Sequence, residues 1–122
     1  MFDTGALIAA ERRKERAVRF LQLAHAGRAR ILVPLPVVAE WWRGRTDARE
    51  ELLGATEIVA SVATAKAAGV ALGRVKDVDS RLTIDAIVMA TAALMDAVVV
   101  TSDPRDLGRL AVHFPGVVVL SA

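Results

Sequence analysis

"RLTIDAIVMATAALMDAVVVTSDPRDL", residues 81–107, carries two different apolar patterns back to back. In its first part Ile84, Ile87, Val88, Thr91 and Met95 recur at helical spacing, and Thr83 stands where a helix cap is expected. Asp85 then falls in the first turn, where a helix dipole favours a carboxylate by roughly 0.3–1 kcal/mol at exposed sites. After Asp96 comes "AVVVT", too uniformly apolar to be exposed on either face, which predicts a strand buried in a parallel sheet. That strand ends on Asp103, Pro104 and Asp106, which fit the cap, first and third positions of a short helix. A buried strand that runs straight into acids is the feature around which the rest of the chain is read.

Working outward, "GALIAAERRKERAVRFLQL" (5–23) predicts a short helix and then a longer one, separated by the charged run from Glu11 to Arg16. "ARILVPL" (29–35) is a compact apolar strand closed by prolines. Pro36 suits the first turn of the helix in "PVVAEWWRG" and Gly44 suits its end. A further helix over Asp47 to Leu53, a short strand "EIVA", an Ala-rich helix "VATAKAAGVALGRV" and a last strand "GVVVL" complete the chain. Strands alternating with helices imply an α/β fold whose parallel sheet is covered on both sides.

With 122 residues, 54% of them hydrophobic, the chain suits one domain over 1–122 with one sizeable core. It has no cysteine, and its two histidines, His25 and His113, stand in unrelated contexts, so any metal is expected on oxygen ligands. No apolar run reaches the ~18 residues of a membrane span, and no secretory signal pattern opens the chain, so the expected location is cytoplasmic. Charge is uneven: residues 1–50 hold ten Lys/Arg against six Asp/Glu, and residues 51–122 hold six against eight. A basic half beside an acidic half fits a polyanionic partner near a cation-binding centre, although ordinary solvated charge produces the same numbers.

In an open parallel sheet, ligands gather beyond the carboxyl ends of the strands. Asp3 follows the stub "MF", Asp103 follows "VVVT", Asp85 opens the long helix and Glu40 lies within the helix after "ILV", so all four are able to point at one edge. Capping alone accounts for Asp3 or Asp103 taken singly, and the dipole for Asp85. Glu40, between Ala39 and Trp41 in an apolar stretch, has the weakest such explanation. Four neighbouring carboxylates raise one another's pKa unless a cation neutralises them, and hard divalent ions with oxygen ligands meet that need.

Together "FDTGALIA", "VVAEWWRG" and "LTIDAIVMATAALMDAVVVTSDPRDL" resemble the PIN-domain ribonucleases, particularly the VapC-type toxins of bacterial toxin–antitoxin pairs, along nearly the whole chain. The resemblance implies a three-layer α/β/α fold with a central parallel sheet of four to five short strands. It implies that Asp3, Glu40, Asp85 and Asp103 are the catalytic quartet that binds Mg²⁺ or Mn²⁺, with Thr4 and Thr101 as orienting hydroxyls. Asp106 looks like an auxiliary acid, with capping as its preferred role. Two departures stand out: only Met1 and Phe2 precede the first Asp where family members commonly have a longer apolar strand, and Gly5 stands where Ser is frequent.

The implied activity is metal-assisted hydrolysis of RNA phosphodiesters, in a homodimer neutralised by a cognate antitoxin. Arg43 and Arg45, after the Glu40 helix, and Arg12 and Arg13, in "ERRKER", are the candidate phosphate contacts. A non-catalytic RNA-binding or protein-interaction module is the rival reading, favoured if the acids are only caps. The chain lacks the Asp-x-Asp of haloacid-dehalogenase-like phosphatases and the Gly-x-Gly-x-x-Gly of dinucleotide-binding domains.

Overall fold

Four short strands run parallel toward a common edge in the computed structural model, which describes residues 1–43 and 47–122. β1 (Leu32–Pro34) pairs with β2 (Glu57–Val59), and β3 (Val99–Thr101) pairs with β4 (Val119–Ser121). The two ribbons meet through the first residues of the chain. The Phe2 amide donates to Leu32 O at 2.8 Å, the Val100 amide donates to Met1 O at 2.8 Å, and Phe2 forms a parallel bridge with Val100. The short stub thus stands between the two ribbons, which among the described residues supply four short strands.

β1 and β3 are buried throughout, as runs flanked on both sides must be, whereas β2 and β4 are edge strands with partial exposure. Pro34 closes β1 because it has no amide hydrogen to extend the ladder. Around the sheet, α1 (Thr4–Glu11) packs against α2 (Glu15–His25), α3 (Leu35–Trp41) and α4 (Asp47–Gly54). α5 (Val62–Leu72) lies along α6 (Ser80–Met95), which also meets β1 and β3. This is the α/β/α layering expected.

Phe2, Leu7, Trp41, Met89, Leu107 and Leu110 are the largest side chains in the core, each contributing about 1.5–3 kcal/mol by leaving water. Phe2 meets Phe20 edge to face at 6.0 Å, which ties α2 to the centre of the sheet. Of the paired tryptophans, Trp41 faces inward and Trp42 stays half-buried at the margin of the core. Among the described residues, no helix is long and apolar enough to cross a membrane.

Two local expectations are corrected. The cap of α6 is Asp79, whose Oδ1 accepts from the Leu82 amide at 2.7 Å, while the Thr83 hydroxyl donates to Asp79 O at 3.0 Å. Asp79 wins because a carboxylate cap satisfies a free helix amide, and the helix consequently starts before Thr83. Asp85 therefore lies in the second turn, beyond the strongest reach of the dipole. The α3 helix ends at Trp41, and Gly44 lies outside the described residues.

Candidate metal centre

Each acidic side chain reaches the carboxyl edge of the sheet for a local reason. Asp3 leaves the central stub and caps α1, its Oδ1 accepting from the Ala6 amide at 2.8 Å. Asp103 leaves β3 and caps a 3-10 turn, Pro104–Leu107, by accepting from the Arg105 amide at 3.1 Å. Glu40 comes from the last turn of α3, and Asp85 from the second turn of α6. Capping is thus real for two of the four, and it fixes their position at the edge.

All four line one cleft of ≈ 430 Å³, together with Thr4, Thr101 and Asp106. The Thr4 hydroxyl donates to Glu40 Oε1, which ties the first turn of α1 to the end of α3. Thr101, buried at the end of β3, accepts from the Asp103 amide at 3.2 Å, and its hydroxyl lies near enough to the Asp3 carboxylate to favour its ionised form. One buried hydroxyl therefore stands beside both aspartates. Gly5 makes this closeness possible: a Cβ there would lie 2.2 Å from Ser102 Oγ and 3.2 Å from the Ser102 amide nitrogen.

The electrostatics separate the acids. Burial raises the pKa of Asp3 and the negative charge of Glu40 raises it further, while the Thr101 hydroxyl and the Ala6 amide pull it back. Asp85 is pushed up to about 7, by burial first and then by Asp3, Glu40 and Asp106, against a partial offset from Arg81. Asp103 is exposed on the outer wall. Asp3, Glu40 and Asp85 thus repel one another across the cleft, as carboxylates do when a cation is needed to balance them.

Among the described residues, no three acidic or histidine side chains stand close enough to ligate one ion directly. A divalent ion bound here would be held by one or two carboxylates, with the others holding its waters. An all-oxygen, net-negative donor set with hydroxyl neighbours suits a hard divalent cation.

Asp106 is placed differently from its expected role. Its carboxylate accepts from Arg81 at 2.6 Å, so it bridges the 3-10 turn to α6 rather than capping its own turn. Arg81 also lines the cleft, and its position four residues before Asp85 on one helix was the signal that could have found it. Ser102 is a second such residue, its hydroxyl seated in the notch left by Gly5. Arg43 lines the cleft, with Nε donating to Glu40 O at 3.1 Å. Arg12 and Arg13 do not line it, and Arg45 lies outside the described residues. His25 and His113 border other surface clefts.

No curated protein matches this sequence. A family model described as the PIN domain does match, over residues 1–112, which takes in all four carboxylates, every helix described above and all strands but β4. The chain belongs to the PIN domain family, whose members are typically metal-dependent nucleases.

Proposed function

We propose that this protein is a metal-dependent endoribonuclease, the toxin of a VapBC-type pair, using Mg²⁺ or Mn²⁺ held by Asp3, Glu40, Asp85 and Asp103. The observation that carries the reading is the single cleft into which four carboxylates from four separate chain segments converge. Capping does not require that convergence, and a glutamate at the end of α3 caps no helix start.

When bound, a divalent ion polarises water and balances the charge that builds on a phosphate under attack. The chain's own residues do the rest. Asp3 and Asp103 are fixed by their capping bonds, so their unshared oxygen lone pairs have little freedom to lose on binding. Thr4 holds Glu40 across the cleft. Asp85, with a pKa near neutrality, is suited to position or deprotonate a water, provided that it is ionised. The Asp106–Arg81 pair keeps one positive group at the rim.

A homodimer neutralised by a cognate antitoxin belongs to the same proposal and rests on the resemblance of the motifs. The test is cleavage of RNA by purified protein in Mg²⁺ or Mn²⁺, compared with EDTA and with Asp3→Asn and Asp85→Asn. Cleavage that persists undiminished in both variants removes the mechanism. Growth arrest on induction, relieved by a small protein encoded next to this gene, supports the toxin role; harmless induction of an active nuclease counts against it.

A further inference from the structure

A second cleft, of ≈ 290 Å³, adjoins the acidic one and shares Arg81, Asp85 and Asp106 with it. Its remaining lining includes Asp79, Arg105 and Arg109. Two of its acids are already engaged: Asp79 accepts from the Leu82 amide at 2.7 Å, and Asp106 accepts from Arg81 at 2.6 Å. The two outer arginines are not. Among the described residues neither Arg105 nor Arg109 has a carboxylate partner, and the one side-chain hydrogen bond of the two is a long one, from Arg109 to Lys76 O at 3.4 Å. Both are exposed, and they are four residues apart across the 3-10 turn and α7 (Gly108–Ala111), which follow one another directly.

We propose that this second cleft binds a phosphodiester group of the RNA strand next to the one at the acidic centre, with Arg105 and Arg109 as its ligands. The inference rests on the nuclease reading and adds to it a direction for the strand. A cup of carboxylates repels a polyanion, so the strand needs positive charge beside the cup to remain there. Guanidinium groups without acidic partners supply it, and their planar fork matches two phosphate oxygens. Arg81 stands on the divide between the clefts, anchored by Asp106. Contacts of this kind position the backbone without reading bases.

The test measures binding of a labelled single-stranded RNA of mixed sequence to the Asp3→Asn protein over a range of salt, with cleavage thereby suppressed. Arg105→Ala/Arg109→Ala is expected to weaken binding about 10-fold at low salt and to flatten the log–log salt dependence by about 0.7 for each phosphate left without its guanidinium. Arg105→Gln/Arg109→Gln, which keeps side-chain length, is expected to do the same. The control pair Arg28→Ala/Arg30→Ala removes equal charge ahead of β1, at the opposite edge of the sheet, and is expected to change neither quantity. Without the Asp3 change, the Arg105/Arg109 variants should raise KM and leave kcat nearly unaltered. An unchanged salt slope, an equal loss in the control pair, or no RNA binding by the parent protein overturns the proposal. Arginine-dependent binding with no cleavage in Mg²⁺ or Mn²⁺ upholds this subsite and overturns the nuclease reading instead.

Discussion

The two ends of α1 carry carboxylates with opposite fates. At the C-terminal end Glu11 accepts from Arg49 Nε at 2.9 Å and from the Trp41 indole, and the Arg49 guanidinium lies 5.5 Å from the Trp41 ring centroid. Arg49 also donates to the carbonyls of Trp41 and Arg43, so every charge in that cluster is answered. At the N-terminal end Asp3 faces Glu40 and Asp85, which repel it, and the only charge of opposite sign that reaches it among the described residues is the Met1 ammonium, which forms no ion pair with it. The first cluster resembles what folding alone selects. The second is destabilising as it stands, which is the usual signature of a site awaiting a ligand.

The sharpest way to break this contrast is to neutralise the unanswered end. Asp3→Asn and Asp85→Asn are each expected to lower Mg²⁺-supported RNA cleavage on the order of 10²-fold or more, read as kcat over a metal titration. Neither should lower the melting temperature of the metal-free protein, because each removes repulsion.

At the answered end the outcome reverses. Glu11→Ala leaves Arg49 and the Trp41 indole without their acceptor and is expected to cost about 2 kcal/mol in urea unfolding. That is less than the ~3–5 kcal/mol of a fully buried pair, since these side chains remain 16% and 23% exposed. Cleavage per folded molecule should change little; a large loss there would mean that this cluster, too, serves the site.

Gly5→Ala tests how tightly the acidic end is built. The added Cβ meets Ser102 Oγ, and the expected cost is about 1–2 kcal/mol with weakened metal binding, measured by unfolding and by calorimetric Mg²⁺ or Mn²⁺ titration. Ser102→Gly in the same chain should restore most of both, a non-additivity expected only if the two residues share one space.

The last expected effect is with pH. Because the Asp85 pKa is raised from 3.8 to about 7, the folded state holds a proton that the unfolded state has lost between those values. Stability of the metal-free protein from this group therefore falls as pH rises from about 4 to about 7 and levels off above. The melting temperature of Asp85→Asn should accordingly gain on that of the parent protein across this window, and metal affinity should rise through it as the competing proton leaves.

Much of this contrast was legible in the linear chain, and the failures have physical causes. Every helix and strand boundary that rests on apolar periodicity or on a proline falls close to its expected place, because burial and the missing proline amide act locally. The acids could be placed at one edge from their positions just after strands and in the helices that follow them. What could not be read were partners brought together by the turning of the chain. Glu11 looked like part of a surface run with its basic neighbours, yet its partners lie at Trp41 and Arg49. Arg81 and Asp106 are 25 residues apart, and their pairing depends on how the 3-10 turn sits over α6. The cap of α6 was misplaced because Asp79 and Thr83 are both good caps, and only packing of the preceding loop chooses between them.

The link through Phe2 divides the sheet along a seam. Glu40 follows the ribbon on one side, Asp103 follows the ribbon on the other, and Asp3 is the next residue along the link itself. An ion shared by these groups would clamp two half-sheets whose ladders meet through the short stub of residues 1–3. Its arrival would then be visible far from any chemistry, as slowed deuterium uptake at the amides of Phe2, Asp3 and Val100, with proteolytic nicking suppressed in step.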